Sequence, residues 1–162
     1  MEADPPLLDE AHAAFIQSGV SVVAASRDGA NAPTLARAMA CRVSSDRRRV
    51  TIFLSRAQSE RLLADVGANR VLAVVFSQPS THRTIQLKST DAAMVPIGPG
   101  DTERVAEHAE LVIDDLKRLG HGEPVLRAAF SHTLEDIAAI AFTPSAAFTQ
   151  TPGPGAGARL GR

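Results

Sequence analysis

Apolar positions along the chain change period several times, and each change marks an element. Leu8, Ala11 and Phe15, with Leu7 and Ala14, recur at helical spacing, so a helix is predicted from Pro5, capped by Asp4, to a stop near Gly19. Val20 to Ser26 is β-branched and small and reads as a strand, and Arg27 to Asn31 is a turn signal. A second strand returns from Thr34 to Val43, Ser44 to Arg49 makes another polar turn, and Val50 to Ser55 is a third strand. From Ala57 to Ala68 the period becomes helical, with Leu62, Leu63 and Val66 in register and Asn69 as the stop. Val71 to Phe76 is an almost unbroken apolar strand, and one further strand is predicted from Arg83 to Val95. Gly98-Pro99-Gly100 then breaks the chain. Asp101 is expected to cap the longest helix, whose stripe of Val105, Ala109, Val112, Ile113, Leu116 and Leu119 runs to Gly120. A short helix at 123–130 and a last strand at 137–142 complete the order.

Hairpin-sized links between most strands favour an antiparallel sheet over parallel βαβ units. The expected class is therefore mainly β with helices (α+β), with six strands closing a small barrel and helices packed outside; a ferredoxin-like layer is the alternative. Residues 1–150 show no repeat or linker and are read as one domain, and the Gly/Pro-rich 151–162 as a flexible tail, or else a loop that folds onto a ligand.

Composition narrows the function. There is no Trp or Tyr and only 6 Phe, which argues against nucleic-acid surfaces that stack bases on aromatic rings, as does a net charge of -1. Cys41 is the only cysteine, so neither an intramolecular disulfide nor, within one chain, a thiolate metal cluster can form. An acidic start without an apolar run, and no stretch long enough to span a bilayer, place the expected protein in the cytoplasm and off the membrane.

Three segments could carry chemistry. On the strand after His82, alternation sets Thr84, Gln86 and Lys88 on one face over Ile85 and Leu87, a row suited to the polar edge of a planar ligand; the alternative is an ordinary solvent-facing sheet surface. Arg37 and Arg42 could grip a phosphate, but five residues apart they have opposite parity in a flat strand. Both reach one ligand only through a bulge or twist, or if one serves a second subunit. Where the third strand meets a helix, Ser55, Ser59 and Arg61 would add hydroxyl and guanidinium donors to a helix N-terminus, good chemistry for a phosphate monoester; the alternative is simple capping. His12, His82, His108, His121 and His132 have no metal-ligand spacing, Ser131-His132 lacks a triad acid, and Asp114-Asp115 reads as a solvated helix face.

Taken in order, these segments resemble the FMN-binding split-barrel superfamily, the relatives of pyridoxamine 5'-phosphate oxidase, from about Phe15 to Val95 and more loosely beyond. The resemblance implies that Arg37 to Arg42 contacts flavin and phosphate, that Ser55, Ser59 and Arg61 complete the phosphate cradle, and that a strand Gln meets the flavin ring, where Thr84 stands at the aligned position and Gln86 follows on the same face; with Lys88 these are the expected ring contacts. It implies FMN as cofactor and a homodimer with the flavin in the groove between two barrels. The corresponding function is an FMN-binding oxidoreductase with a small-molecule substrate or electron donor; a non-catalytic flavin carrier or redox sensor, or a related barrel using F420 or haem, is the alternative. Phe148 to Gly157 is similar to the end of a subgroup of uncharacterised family members. Two departures separate the chain from the parent enzyme: the C-terminal Arg and His signature for pyridoxamine phosphate and the flavin-contacting Trp are both missing.

Overall fold

The computed structural model describes residues 5–161. Its elements run α1 (Glu10–Ile16), β1 (Ser21–Arg27), β2 (Pro33–Val43), β3 (Val50–Ser55), α2 (Glu60–Asn69), β4 (Leu72–Ser77), β5 (Thr84–Ser89), β6 (Ala93–Val95), α3 (Asp101–Arg118), α4 (Glu123–Ala129), a short 3-10 helix (Leu134–Asp136), β7 (Ile137–Phe142) and β8 (Ala146–Thr149). All strand pairs are antiparallel, in the order β6-β7-β3-β2-β1-β4-β5-β8.

That order forces the sheet to curl. β5 and β6 stand seventh and first in it, and β7 and β8 second and eighth, yet 3 residues join each pair. A flat sheet would set them six strand spacings apart, roughly 29 Å. Four Cα–Cα steps reach only about 14 Å, so the two edges must swing together into a barrel. Asp91, between β5 and β6, marks the junction: its carboxylate accepts from Ser89 Oγ and from the backbone N–H of Thr143, just past β7.

Alternation on each strand then sorts side chains by face. Val22, Ala24, Ala38, Ile52, Leu54, Val74, Phe76, Ile85, Leu87, Ile140 and Phe142 fill the interior. Helix α2 adds Leu62, Leu63 and Val66 to this core, and Asp65 accepts a buried hydrogen bond from Thr34 Oγ1 at 2.8 Å. From α1, Phe15 and Ile16 join the same core, and the Ile16 carbonyl accepts from Cys41 Sγ. Helix α3 lies on the outside across β2, where Val105 meets Met39, Ala40, Phe53 and Ala139 in a second cluster. No described helix is long and apolar enough to cross a membrane.

Several sequence expectations need correction. Among the described residues the sheet has eight strands rather than six. The strand predicted over 83–95 divides into β5 and β6, because a turn held by Asp91 sends the chain from one sheet edge to the other. Strand β8 lies within the predicted domain but is not predicted as an element, since Ala146 to Thr149 is too short to show a period. After β8 the chain folds back along it: Gly157 N–H donates to Thr149 O, Leu160 N–H to Ala147 O, and Arg159 bridges Phe148. Gly157 makes this return at φ 86°, open to glycine without cost. The first helix begins at Glu10 with Asp9 as its cap, not at Pro5; the Asp4 cap lies outside the described residues. Helix α2 begins at Glu60, because Ser55 to Ser59 form a hydrogen-bonded turn first. Gly100 caps α3, and Asp101 is its first residue. Asp115 is buried, not solvated, and accepts from the Ser80 N–H at 3.1 Å.

Candidate functional site

The decisive local feature is a bulge in β2. Ala38 pairs with Leu54 but Ala40 pairs with Phe53, so Met39 is an extra residue. A one-residue insertion inverts the alternation beyond it. Ala38 and Cys41 both belong to the interior core, which leaves Arg37 and Arg42 both on the outer face.

They do not converge. Arg42 donates through Nε to Asp101 Oδ1 at 2.9 Å, and its Nη2 lies 3.4 Å from Oδ2, so it anchors the start of α3. Arg37 has no ion-pair partner among the described residues; its guanidinium lies 5.1 Å from the centre of the Phe130 ring, after α4. Arg37 and Phe130, with Ser21, Pro79, Val112 and Leu126, line a cavity of about 230 Å³.

Continuing the β2–β3 ladder past Ala38 and Leu54 sets Ser55 opposite Arg37. There the strand leaves the sheet through the turn Arg56-Ala57-Gln58 into α2. This turn already receives an oxyanion. Asp136, at the end of the 3-10 helix, accepts from Ser55 Oγ in a short hydrogen bond and from Ala57 N–H at 2.8 Å. Those two donors, aided by the Arg56 charge, hold its carboxyl below the usual carboxylate range. One turn on, Ser59 is 2% exposed, and its Oγ has no hydrogen-bond partner among the described residues although it sits at the α2 N-terminus. A buried unpaired hydroxyl is costly, and helix N-termini favour anions. Arg61, in the first turn of α2, is largely exposed and lies 3.7 Å from Asp28.

Register also connects β2 with β5. Arg37 pairs with Val23, Val23 with Val75, Val75 with Gln86 and Gln86 with Phe148, so these five share one row of the outer face. Gln86 lies three strand spacings from Arg37, about 14 Å. The neighbouring row carries Leu35, Ala25, Ala73, Lys88 and Ala146, and Ser77 with Thr84 belongs to a third. The outward alternation of Thr84, Gln86 and Lys88 is as predicted. Thr84 Oγ1 is shared with Ser77 Oγ at 2.8 Å, Gln86 Oε1 accepts weakly from Gln150 Nε2 at 3.3 Å, and the Lys88 ammonium is 5.3 Å from the Phe148 ring centre. The structure thus gathers Arg37, Ser55 and Ser59 at one end of the outer face and Thr84, Gln86 and Lys88 on the strands beyond, and sets Arg42 and Arg61 apart.

Sequence reasoning missed Asp136 and Phe130. Neither belongs to a motif, and both reach the site from the segment between α3 and β7, far along the chain. Among the described residues no cluster of three or more His, Cys, Asp or Glu could hold a metal ion.

This is the split-barrel fold found in pyridoxamine 5'-phosphate oxidase-like proteins. The structure of HupZ from Group A Streptococcus matches with a TM-score of 0.53 and 13% identity, over 93% of this chain and 99% of that one. An F420 reductase matches with a TM-score of 0.53 at 14% identity, over 86% of this chain and 98% of that one. A Lactobacillus delbrueckii protein provisionally named pyridoxamine 5'-phosphate oxidase matches with a TM-score of 0.53 at 10% identity, over 87% and 93%. At such identities the likeness is one of fold. No protein-family model and no curated protein matches the chain.

Proposed function

We propose that the protein is an FMN-binding oxidoreductase that works as a homodimer. The observation that carries this reading is the buried, unpartnered Ser59 hydroxyl at the N-terminus of α2, next to a turn whose Ser55 hydroxyl and Ala57 N–H already bind a carboxylate. Such a donor set fits a phosphate monoester, with the unpaired Arg37 guanidinium opposite Ser55 as counter-charge. In this reading the phosphate competes with Asp136 for the turn, and Arg61 meets the anion only by leaving Asp28. The row from Val23 through Val75 to Gln86 gives a flat ring an apolar bed with an amide at its edge. FMN when bound supplies the electron-transfer chemistry. The chain's own residues hold the phosphate, orient the ring through Thr84, Gln86 and Lys88, and shield it with aliphatic side chains. The outer face lies on one side of such a ring only, and Val23 and Leu35 are exposed beside it; a second copy of the chain supplies the other wall. Arg42 is left to the fold.

A phosphorylated cofactor other than FMN is the second reading, favoured by the F420 reductase among the similar folds. The test is a titration with FMN followed by absorbance and fluorescence, with mass spectrometry of any ligand carried through purification. Uptake of FMN with emission that is not wholly quenched is expected, because no Trp or Tyr can quench it. Failure to take up FMN sinks the proposal, and a copurified F420 replaces it. Slow or absent reduction by nicotinamides and a panel of acceptors would leave a flavin carrier or sensor in place of an enzyme.

A further inference from the structure

A cleft of about 570 Å³ lies on the outer face, within the size range of small-molecule sites. Its floor is made by small residues where a sheet surface ordinarily carries larger ones: Ala25 pairs with Ala73, and Ala146 lies beyond Lys88 in the same row. With side chains cut to a methyl group, the curved sheet leaves a trough. The floor is apolar, so a bound molecule gains by burying a flat hydrocarbon surface there.

The trough is bounded by two cations. Arg27 stands at the end of β1 and Lys88 on β5, two strands away, about 10 Å across the sheet. Both line the cleft, and neither has a carboxylate partner among the described residues. Among the described residues no Asp or Glu lines it. Cations on the neighbouring helices are matched, Arg127 with Glu110 and Glu123 and Lys117 with Glu123, and Arg42 is matched with Asp101, whereas Arg37 shares the outer face without an ion-pair partner among the described residues. Two cations lining an apolar floor, with no carboxylate beside them among the described residues, are complementary to an anion with an apolar body.

We propose that this trough is a binding site for a small organic acid with a flat apolar body, its anionic group held by Arg27 and Lys88 and its body lying on Ala25, Ala73 and Ala146. That this molecule is the substrate rests on the flavin reading above, because Lys88 also borders the proposed ring site; that the trough binds it does not.

Two fluorescent probes with the same ring system separate charge from shape: anilinonaphthalene sulfonate, an anion, and phenylnaphthylamine, which is neutral. The unmodified protein is expected to bind the anion at least tenfold more tightly. Arg27→Gln with Lys88→Gln should remove that preference and leave the neutral probe's affinity unchanged. Ala73→Leu, which fills the floor, should weaken both. Thermal melting of each variant checks folding; both cations are exposed, so the double glutamine variant should melt with the parent protein. Equal affinity for the two probes, a double variant that keeps the anion, or binding of neither probe overturns the proposal. FMN uptake by the unmodified protein is scored separately: anion binding without FMN uptake keeps the trough and removes the flavin, and FMN uptake without anion binding does the reverse.

Discussion

Replacing Arg42 by Ala separates a structural arginine from a ligand-binding one. The Asp101 residue is 1% exposed, and its carboxylate is held by Arg42 Nε at 2.9 Å and by the Gly98 N–H at 2.8 Å. Without the guanidinium, a buried charge at the start of α3 keeps one backbone donor and the helix dipole. Removing one partner of a fully buried pair costs about 3–5 kcal/mol. The Arg42 side chain is 40% exposed, so water can replace part of what it gives; a loss of about 2–3 kcal/mol is expected. For a domain of this size that lowers the melting temperature by roughly 5–10 °C. Circular dichroism melts read it directly, and Arg42→Met combined with Asp101→Asn should recover most of the loss. In parallel, Arg42→Ala should bind FMN within about twofold of the parent, whereas Arg37→Ala should bind about tenfold or more weakly. An unchanged melting temperature with tenfold weaker FMN binding in Arg42→Ala would refute the assignment and place Arg42 in the cofactor site.

Asp136→Ala removes a carboxylate from the proposed phosphate position; relief of like-charge repulsion should tighten FMN binding by up to roughly tenfold in a fluorescence titration. Binding that is unchanged or weaker would show the carboxylate to be a support rather than a competitor. Burial holds the His108 imidazole below its ordinary 6.5, with Nε2 donating to the Val20 carbonyl at 2.7 Å and Arg104 nearby. The unfolded chain therefore binds the extra proton first, so this contribution is complete above pH 6.5 and is lost as pH falls from there toward the lower folded value. Urea midpoints should fall between about pH 7.5 and 5.5, and His108→Gln should flatten that slope. Gly19 has φ 79°, and a Cβ there would lie 2.2 Å from Leu111 Cβ, so Gly19→Ala must strain the backbone and displace α3. A destabilisation of about 2–4 kcal/mol, read from urea unfolding, is expected.

Local pattern was enough for most elements and for the class of fold. β3 and β7 have the predicted bounds, because runs such as Val50 to Ser55 and Ile137 to Phe142 state their period within themselves. The outward row Thr84, Gln86, Lys88 was likewise legible, since alternation is a property of one strand. Elements that owe their existence to a distant partner were not. β8 is 4 residues long and is defined by β5 and by the returning chain, and the division of β5 from β6 depends on Asp91 meeting Thr143 across the barrel seam.

The sequence by itself determined most of the succession of strands and helices, their antiparallel pairing and the residue types at the turn into α2. Only tertiary structure decided which of those residues share a surface. An extra residue at Met39 turns both arginines outward, the pairing of four further strands carries the row from Arg37 to Gln86 and Phe148, and Asp101 takes Arg42 out of that surface. The reason is physical: parity along one strand is a local quantity, whereas a bulge, a ladder register and a salt bridge each depend on the partner that the folded chain brings alongside.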